Sequence, residues 1–125
     1  MKTKNMNYVD GFVLPVPKKN IAAYRKMAGV GKKVWMKHGA VMYFECAADD
    51  LRAPWSMSFT KLAKPKPNET IFFSFIVYKS RKHRDEVNKK VMKDPAMNNP
   101  KYKNMPMPFD VKRMAYGGFK TIVSG

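Results

Sequence analysis

The run Ile71-Phe72-Phe73-Ser74-Phe75-Ile76-Val77-Tyr78 constrains this chain more than any other stretch. It is the longest near-unbroken apolar segment, and its β-branched and aromatic content makes it a strand rather than a helix. Side chains alternate across a strand, so Ile71, Phe73, Phe75 and Val77 share one face while Phe72, Ile76 and Tyr78 share the other. A strand without a polar face is covered on both sides. The run therefore reads as a central strand, and the other elements have to supply its covers.

Those elements follow in order. Residues 1–5 read as a flexible polar start and 6–125 as a single domain, a size that buries a core without staples. Residues 8–14 form a strand closed by Pro15 and Pro17. Over 18–38, Ile21, Tyr24, Ala28, Gly31, Trp35 and His38 recur at three- and four-residue steps, the buried stripe of a helix. Gly31 lies on that stripe and suits close packing; Gly29 lies off it. Gly39 supplies the helix C-terminal cap. Residues 41–47 make a second strand, and 55–59 alternate weakly, as an edge extension would. Ser80 caps a helix over 81–93, with Val87 and Val91 inward and Asp94-Pro95 as its stop. A long loop over 97–108 leads to a last strand over 111–123, where Gly117-Gly118 marks a bulge or a close backbone approach.

The order β-α-β-β-α-β predicts an α+β, ferredoxin-like fold: a four-stranded antiparallel sheet with two helices on one face. Two helices leave the second face bare, and strands apolar on both sides make that face a large apolar patch. Its simplest cover is a second copy, a homodimer stacked face to face as a dimeric α+β barrel.

Charge bears on partners. Twenty-five Lys and Arg stand against nine Asp and Glu, a net charge of +16. Segment 18–38 carries Lys18, Lys19, Arg25, Lys26, Lys32, Lys33 and Lys37 and no acid. That suits a non-specific nucleic-acid or anionic-surface binder acting through the first helix. Tyr24 and Trp35 belong to the buried stripe, however, so no stacking platform accompanies the charge. A solvated, solubilising surface is the favoured reading. The single cysteine rules out an internal disulfide and fits a cytoplasmic setting. No apolar h-region follows the basic N-terminus, and no run approaches the roughly 20 residues of a membrane span.

No catalytic motif is present, and no cofactor or metal is read from the chain. His38 lacks a second ligand at metal spacing and reads as structural. Cys46 reads as a buried, inert thiol. Asp49-Asp50 reads as a turn and a cap. The informative residues are the polar ones inside apolar strands: Asp10, Glu45, Ser74, Arg113 and Tyr116. With the first and fourth strands adjacent, Asp10 and Arg113 are expected to meet as a buried pair. The set is then either an ion pair fixing register or the polar floor of a pocket between sheet and partner copy. Such a pocket would bind a small molecule or carry out cofactor-independent chemistry on it.

Longer stretches carry a resemblance. In order stand Tyr8-Val9-Asp10-Gly11-Phe12-Val13, Trp35 with His38-Gly39-Ala40, Tyr43-Phe44-Glu45-Cys46 with Asp49-Asp50, and Phe73-Ser74-Phe75-Ile76-Val77-Tyr78-Lys79-Ser80-Arg81. Arg84-Asp85 with Asn88, Val91-Met92 with Asp94-Pro95, Met107-Pro108-Phe109-Asp110, Lys112-Arg113-Met114 and Tyr116-Gly117-Gly118-Phe119 follow. With these the chain resembles the bacterial YbaA-like family of domain-of-unknown-function proteins over nearly all of 6–123. The resemblance implies a ferredoxin-like fold of the dimeric α+β barrel type and no established activity. Ala96 and Val111 stand where that family usually has Arg and often has Gly. The lysine load is not a family requirement, so a basic-surface function would be specific to this member.

Overall fold

The apolar run lies in a strand β3 (Glu69–Tyr78) with a neighbour on each side. One neighbour is β1 (Tyr8–Pro17), the other β2 (Met42–Ala47). A fourth strand, β4 (Ala115–Lys120), pairs with the free side of β1. All pairings are antiparallel and the order is β2-β3-β1-β4, giving an α+β protein with one four-stranded sheet. The computed structural model describes residues 7–98 and 106–125. The flexible start expected over 1–5 and the middle of the 97–108 loop lie outside the described residues.

After a 3-10 turn at Lys18–Asn20, the helix α1 (Ile21–Lys37) buries Tyr24, Ala28, Gly31 and Val34. It ends as its sequence predicts. Gly39 adopts φ +109°, Ala40 N–H donates to the Trp35 carbonyl at 3.0 Å, and Gly39 N–H donates to that of Met36 at 3.2 Å. These two bonds satisfy carbonyls that the last turn leaves open.

Residues 55–59 are not an edge strand. Ser58 accepts the Lys61 N–H on its side chain, and a short helix α2 (Phe59–Ala63) begins there. A capping hydroxyl outweighs an alternation that weak. The next helix, α3 (Arg81–Lys93), starts at Ser80, whose hydroxyl accepts the His83 N–H at 3.0 Å. The last strand is shorter than its apolar pattern suggests, because Asp110 caps a 3-10 turn over Val111–Arg113.

Alternation decides what each face carries. On β1 and β3 the even-numbered side chains, among them Leu14, Val16, Phe72, Ile76 and Tyr78, face α1 and α3. Leu14, Val16 and Tyr78 are at most 1% exposed; at about 1.5–3 kcal/mol for each fully buried large side chain, this layer dominates the stability of the fold. The odd face is different. Phe73, Phe44 and Phe119 keep 46%, 47% and 63% of their surface exposed. Phe59 of α2 lies against Phe73, and Phe73 and Phe44 both flank Phe75, as one run of aromatic rings. Cys46 is on this face and exposed; a buried thiol was the wrong expectation, because β2 is an edge strand.

Gly117 and Gly118 form no bulge: the register Gly11↔Gly117 and Asp10↔Gly118 runs through them unbroken. They serve close approach. A Cβ on Gly118 would lie 2.8 Å from Tyr8 Cε2, and the Phe119 ring lies beside Gly117 and Gly11.

Candidate functional site

Strand register assembles the polar residues. Tyr116, Phe12, Ser74 and Glu45 are consecutive partners across all four strands and form one row on the helix face. Gly118, Asp10, Ile76 and Tyr43 form the next row. The two rows floor a cleft of about 450 Å³ roofed by α1 and α3, with Met27, Trp35, Asn88, Met92 and Met114 in its walls. Four of the five residues singled out in the sequence, Asp10, Glu45, Ser74 and Tyr116, line it. The cleft lies between sheet and helices of one chain. A pocket between the sheet and a partner copy would sit on the opposite face, so the sequence-based location is corrected. Asp10 shares the parity of Leu14 and Val16, and parity fixes the face.

The fifth residue goes elsewhere. Arg113 precedes β4, near the end of β1 where Pro17 pairs with Glu69. Its guanidinium donates to both Glu69 oxygens at 2.8 and 2.9 Å and to the Lys64 carbonyl at 3.1 Å. The hydrogen bonds from Arg113 hold the Glu69 carboxyl below the usual carboxylate range. The expected Asp10–Arg113 pair does not form, because antiparallel pairing sends the two residues to opposite ends of β1.

Asp10 pairs instead with Arg84, in the first turns of α3. Arg84 Nη1 donates to Asp10 Oδ1 at 2.9 Å and to Tyr116 Oη at 2.7 Å, and Nε donates to Asp85 at 2.8 Å. The Asp10 side chain is 2% exposed and that of Arg84 13%. Burial pushes the Asp10 carboxyl above its ordinary range, and the Arg84 charge and nearby Tyr116, Tyr78 and Asn88 offset only part of that push. Arg84 also lies over the Tyr8 ring, 5.0 Å from its centroid. Gly118 thus has a purpose: with no Cβ, it lets Tyr8 lie where Arg84 can cross it and reach Asp10. Behind the pair, Trp35 Nε1 donates to Tyr78 Oη and Asn88 Oδ1, both at 3.1 Å.

Glu45 holds the other end of the cleft. It accepts from Tyr24 Oη at 2.6 Å, from Tyr43 Oη at 3.1 Å and from the Ser74 hydroxyl. Burial first, and then the Glu45 carboxylate, raise both tyrosine pKa values, so these hydroxyls stay protonated and donate. Gly31 makes this close: a Cβ there would stand 3.1 Å from Tyr43 Oη. The cleft therefore has a carboxylate at each end and an apolar, methionine-rich wall between them.

Sequence reasoning missed Arg84, Asn88, Tyr24 and Tyr43 as site residues. For the first two the signal was present: Arg84 stands three residues before Val87 and Asn88 three before Val91, so both fall beside the buried stripe of α3. His38 is structural: its Nε2–H donates to buried Asp94 Oδ2 at 2.7 Å. His83 Nδ1 accepts the Lys79 N–H at 3.0 Å. Asp50 caps the Arg52 N–H as a turn residue does.

Residues 7–111 match DUF1428, described as a protein of unknown function. The chain belongs to the DUF1428 family. It is similar to the uncharacterized protein YbaA of Escherichia coli strain K12, with 42% identity over 118 residues, 94% of this chain and 98% of that protein. The uncharacterized protein YbaA of Shigella flexneri matches with the same identity and coverage. The DUF1428 match includes Asp10, Glu45, Ser74 and Arg84, so most of the cleft floor lies within the shared region, and Tyr116 lies just beyond it. No helix among the described residues is long and apolar enough to cross a membrane.

Proposed function

We propose that the protein binds, and in the fuller form of this reading transforms, a small molecule in the cleft between the sheet and helices α1 and α3. The observation that carries the reading is the convergence of Asp10, Tyr116, Ser74 and Glu45 on one cavity of about 450 Å³. Cavities of this size, mostly apolar with a few placed polar groups, are the usual form of small-molecule sites. Its ligand would present an apolar body to Met27, Met92 and Met114 and a hydrogen-bonding group to the Asp10–Tyr116 end. A buried carboxyl with a raised pKa, next to a tyrosine hydroxyl, suits proton exchange with such a ligand. A metabolite screen by thermal shift tests this, because a ligand of the native state alone raises apparent stability. A hit whose stabilisation is lost in Asp10→Asn or Tyr116→Phe supports the reading; hits indifferent to both substitutions contradict it.

The strand order and the antiparallel pairings support a ferredoxin-like description of the fold. The half-exposed Phe44 and Phe73 and the more exposed Phe119, on a face that α1 and α3 do not touch, support a homodimer of the dimeric α+β barrel type. An interface built on that face would be obligate-like, of about 2,000 Å² or more in total. Because the chain carries +16, raising salt screens repulsion and tightens the dimer. Sedimentation at low and moderate salt checks this; a monomer at both ends the dimer but leaves the cleft within one chain intact. The exposed, unpaired thiol of Cys46 supports a reducing, cytoplasmic setting.

A further inference from the structure

Gly29 stands in the middle of α1 without a packing reason. A Cβ there would meet nothing within 4 Å, whereas Gly31, two residues on, is pressed against Tyr43. A glycine inside a helix destabilises it relative to alanine. Gly29 borders a second cavity, of about 400 Å³, along the edge strand β2. Its walls are Ile21, Arg25, Gly29 and Lys32 of α1 on one side and Tyr43, Glu45 and Ala47 of β2 on the other, with Phe72 beneath. Tyr24, Ala28, Tyr43 and Glu45 line both cavities and form the wall they share.

Arg25, Gly29 and Lys32 are four and three residues apart and so share one stripe of the helix. The two cations stand about 10 Å apart along the axis at 1.5 Å per residue, with the glycine between them. Both side chains are long enough to converge over that gap, and both are exposed. The only acid in the lining is Glu45, already engaged by Tyr24, Tyr43 and Ser74 at the inner wall. The outer wall is thus cationic, the base apolar, and the backbone between the cations bare. Bare glycine backbone is where a ligand group approaches most closely.

We infer that this cavity is a second ligand site, distinct from the first cleft, that takes a small carboxylate with an apolar body. The carboxylate sits over Gly29 between Arg25 and Lys32, in charge-assisted hydrogen bonds that favour Arg geometry. The apolar body rests on Ile21 and Phe72. The bland account, a solvated lysine-rich face, explains Lys26 and Lys33 but gives no reason for a glycine at 29.

Amide chemical shifts titrated with phenylacetate test the site, with 2-phenylethanol as the neutral analogue. The inference predicts saturable shifts at Gly29, Ala47 and Phe72, and binding of 2-phenylethanol weaker by at least about tenfold. Arg25→Gln with Lys32→Gln weakens phenylacetate by a similar factor, and Gly29→Leu abolishes it by filling the gap. The glutamine pair changes only exposed side chains, so it remains informative should Gly29→Leu disturb the fold. Shifts confined to Asp10, Phe12 and Tyr116 would place phenylacetate in the first cleft and overturn the second site. Equal binding of the neutral analogue, undiminished binding in the glutamine variant, or no saturable shift would also overturn it. None of these outcomes bears on the first cleft except the one that fills it.

Discussion

Arg84→Met removes the only cation hydrogen-bonded to Asp10 among the described residues and leaves its carboxylate 2% exposed with no counter-charge. Breaking a buried pair from one side costs about 3–5 kcal/mol. Arg84 keeps 13% of its side-chain surface in solvent, which places the expected loss near the lower figure, about 3 kcal/mol. At a urea m-value of about 2 kcal/mol/M the midpoint falls by about 1.5 M at pH 7. The loss also depends on pH. Burial already raises the folded-state pKa of Asp10, and without Arg84 it rises further. The folded state then binds a proton that the unfolded state releases, so stability increases as pH falls from the folded pKa toward the unfolded value of about 3.9. The deficit of Arg84→Met therefore shrinks as pH falls toward that unfolded value. Asp10→Asn added to Arg84→Met removes the stranded charge and recovers most of the loss. Urea unfolding of the three chains at two pH values is the assay. A loss below about 1 kcal/mol, or no recovery in the double variant, would refute the claim that this pair is buried and coupled.

Further outcomes follow from local geometry. Gly118→Ala destabilises by about 1–3 kcal/mol, because its Cβ would press on the Tyr8 ring, and Tyr8→Ala in the same chain reduces that penalty; chemical unfolding measures both. Gly29→Ala stabilises by about 1 kcal/mol, since its Cβ enters open space, and a thermal melt reads the gain. The Ala96 N–H, His38 and then Lys37 hold the Asp94 carboxyl down to about 2. Its contribution is therefore complete above the unfolded value of about 3.9 and is lost as pH falls through about 2. Asp94→Asn should flatten acid unfolding followed by near-UV circular dichroism in that window.

The chain announced its sheet more clearly than its site. An apolar run on both parities could only be central, and β3 is flanked on both sides. The Gly39 cap and the Ser80 cap are local signals, settled within a few residues, and each appears where the sequence places it; the α1 stripe holds at Tyr24, Ala28 and Gly31 but buries Val34, with Trp35 and His38 only partly covered. The α2 helix and the 3-10 turn at 111–113 escaped notice, because a cap on a five- or three-residue element leaves little periodicity to read. The polar residues were visible as interruptions of apolar strands. Their grouping was not, because Asp10 meets Arg84 through sheet register and helix docking combined, across 74 positions of chain. Arg113 misled for the same reason: adjacency of β1 and β4 does not say how far along the strands their residues meet. The face of the cleft was decidable from parity alone, since Asp10, Phe12, Leu14 and Val16 alternate together.

Methionine methyl groups report on the central claim most directly. Met27, Met92, Met97 and Met114 line the cleft, whereas Met42 and Met57 do not and are exposed elsewhere. With methyl-labelled methionine, titration with a metabolite that raises the melting temperature should move the resonances of the first four and leave Met42 and Met57 in place. Movement of Met42 and Met57 with the cleft methionines unchanged would contradict a ligand site between the helices and the sheet.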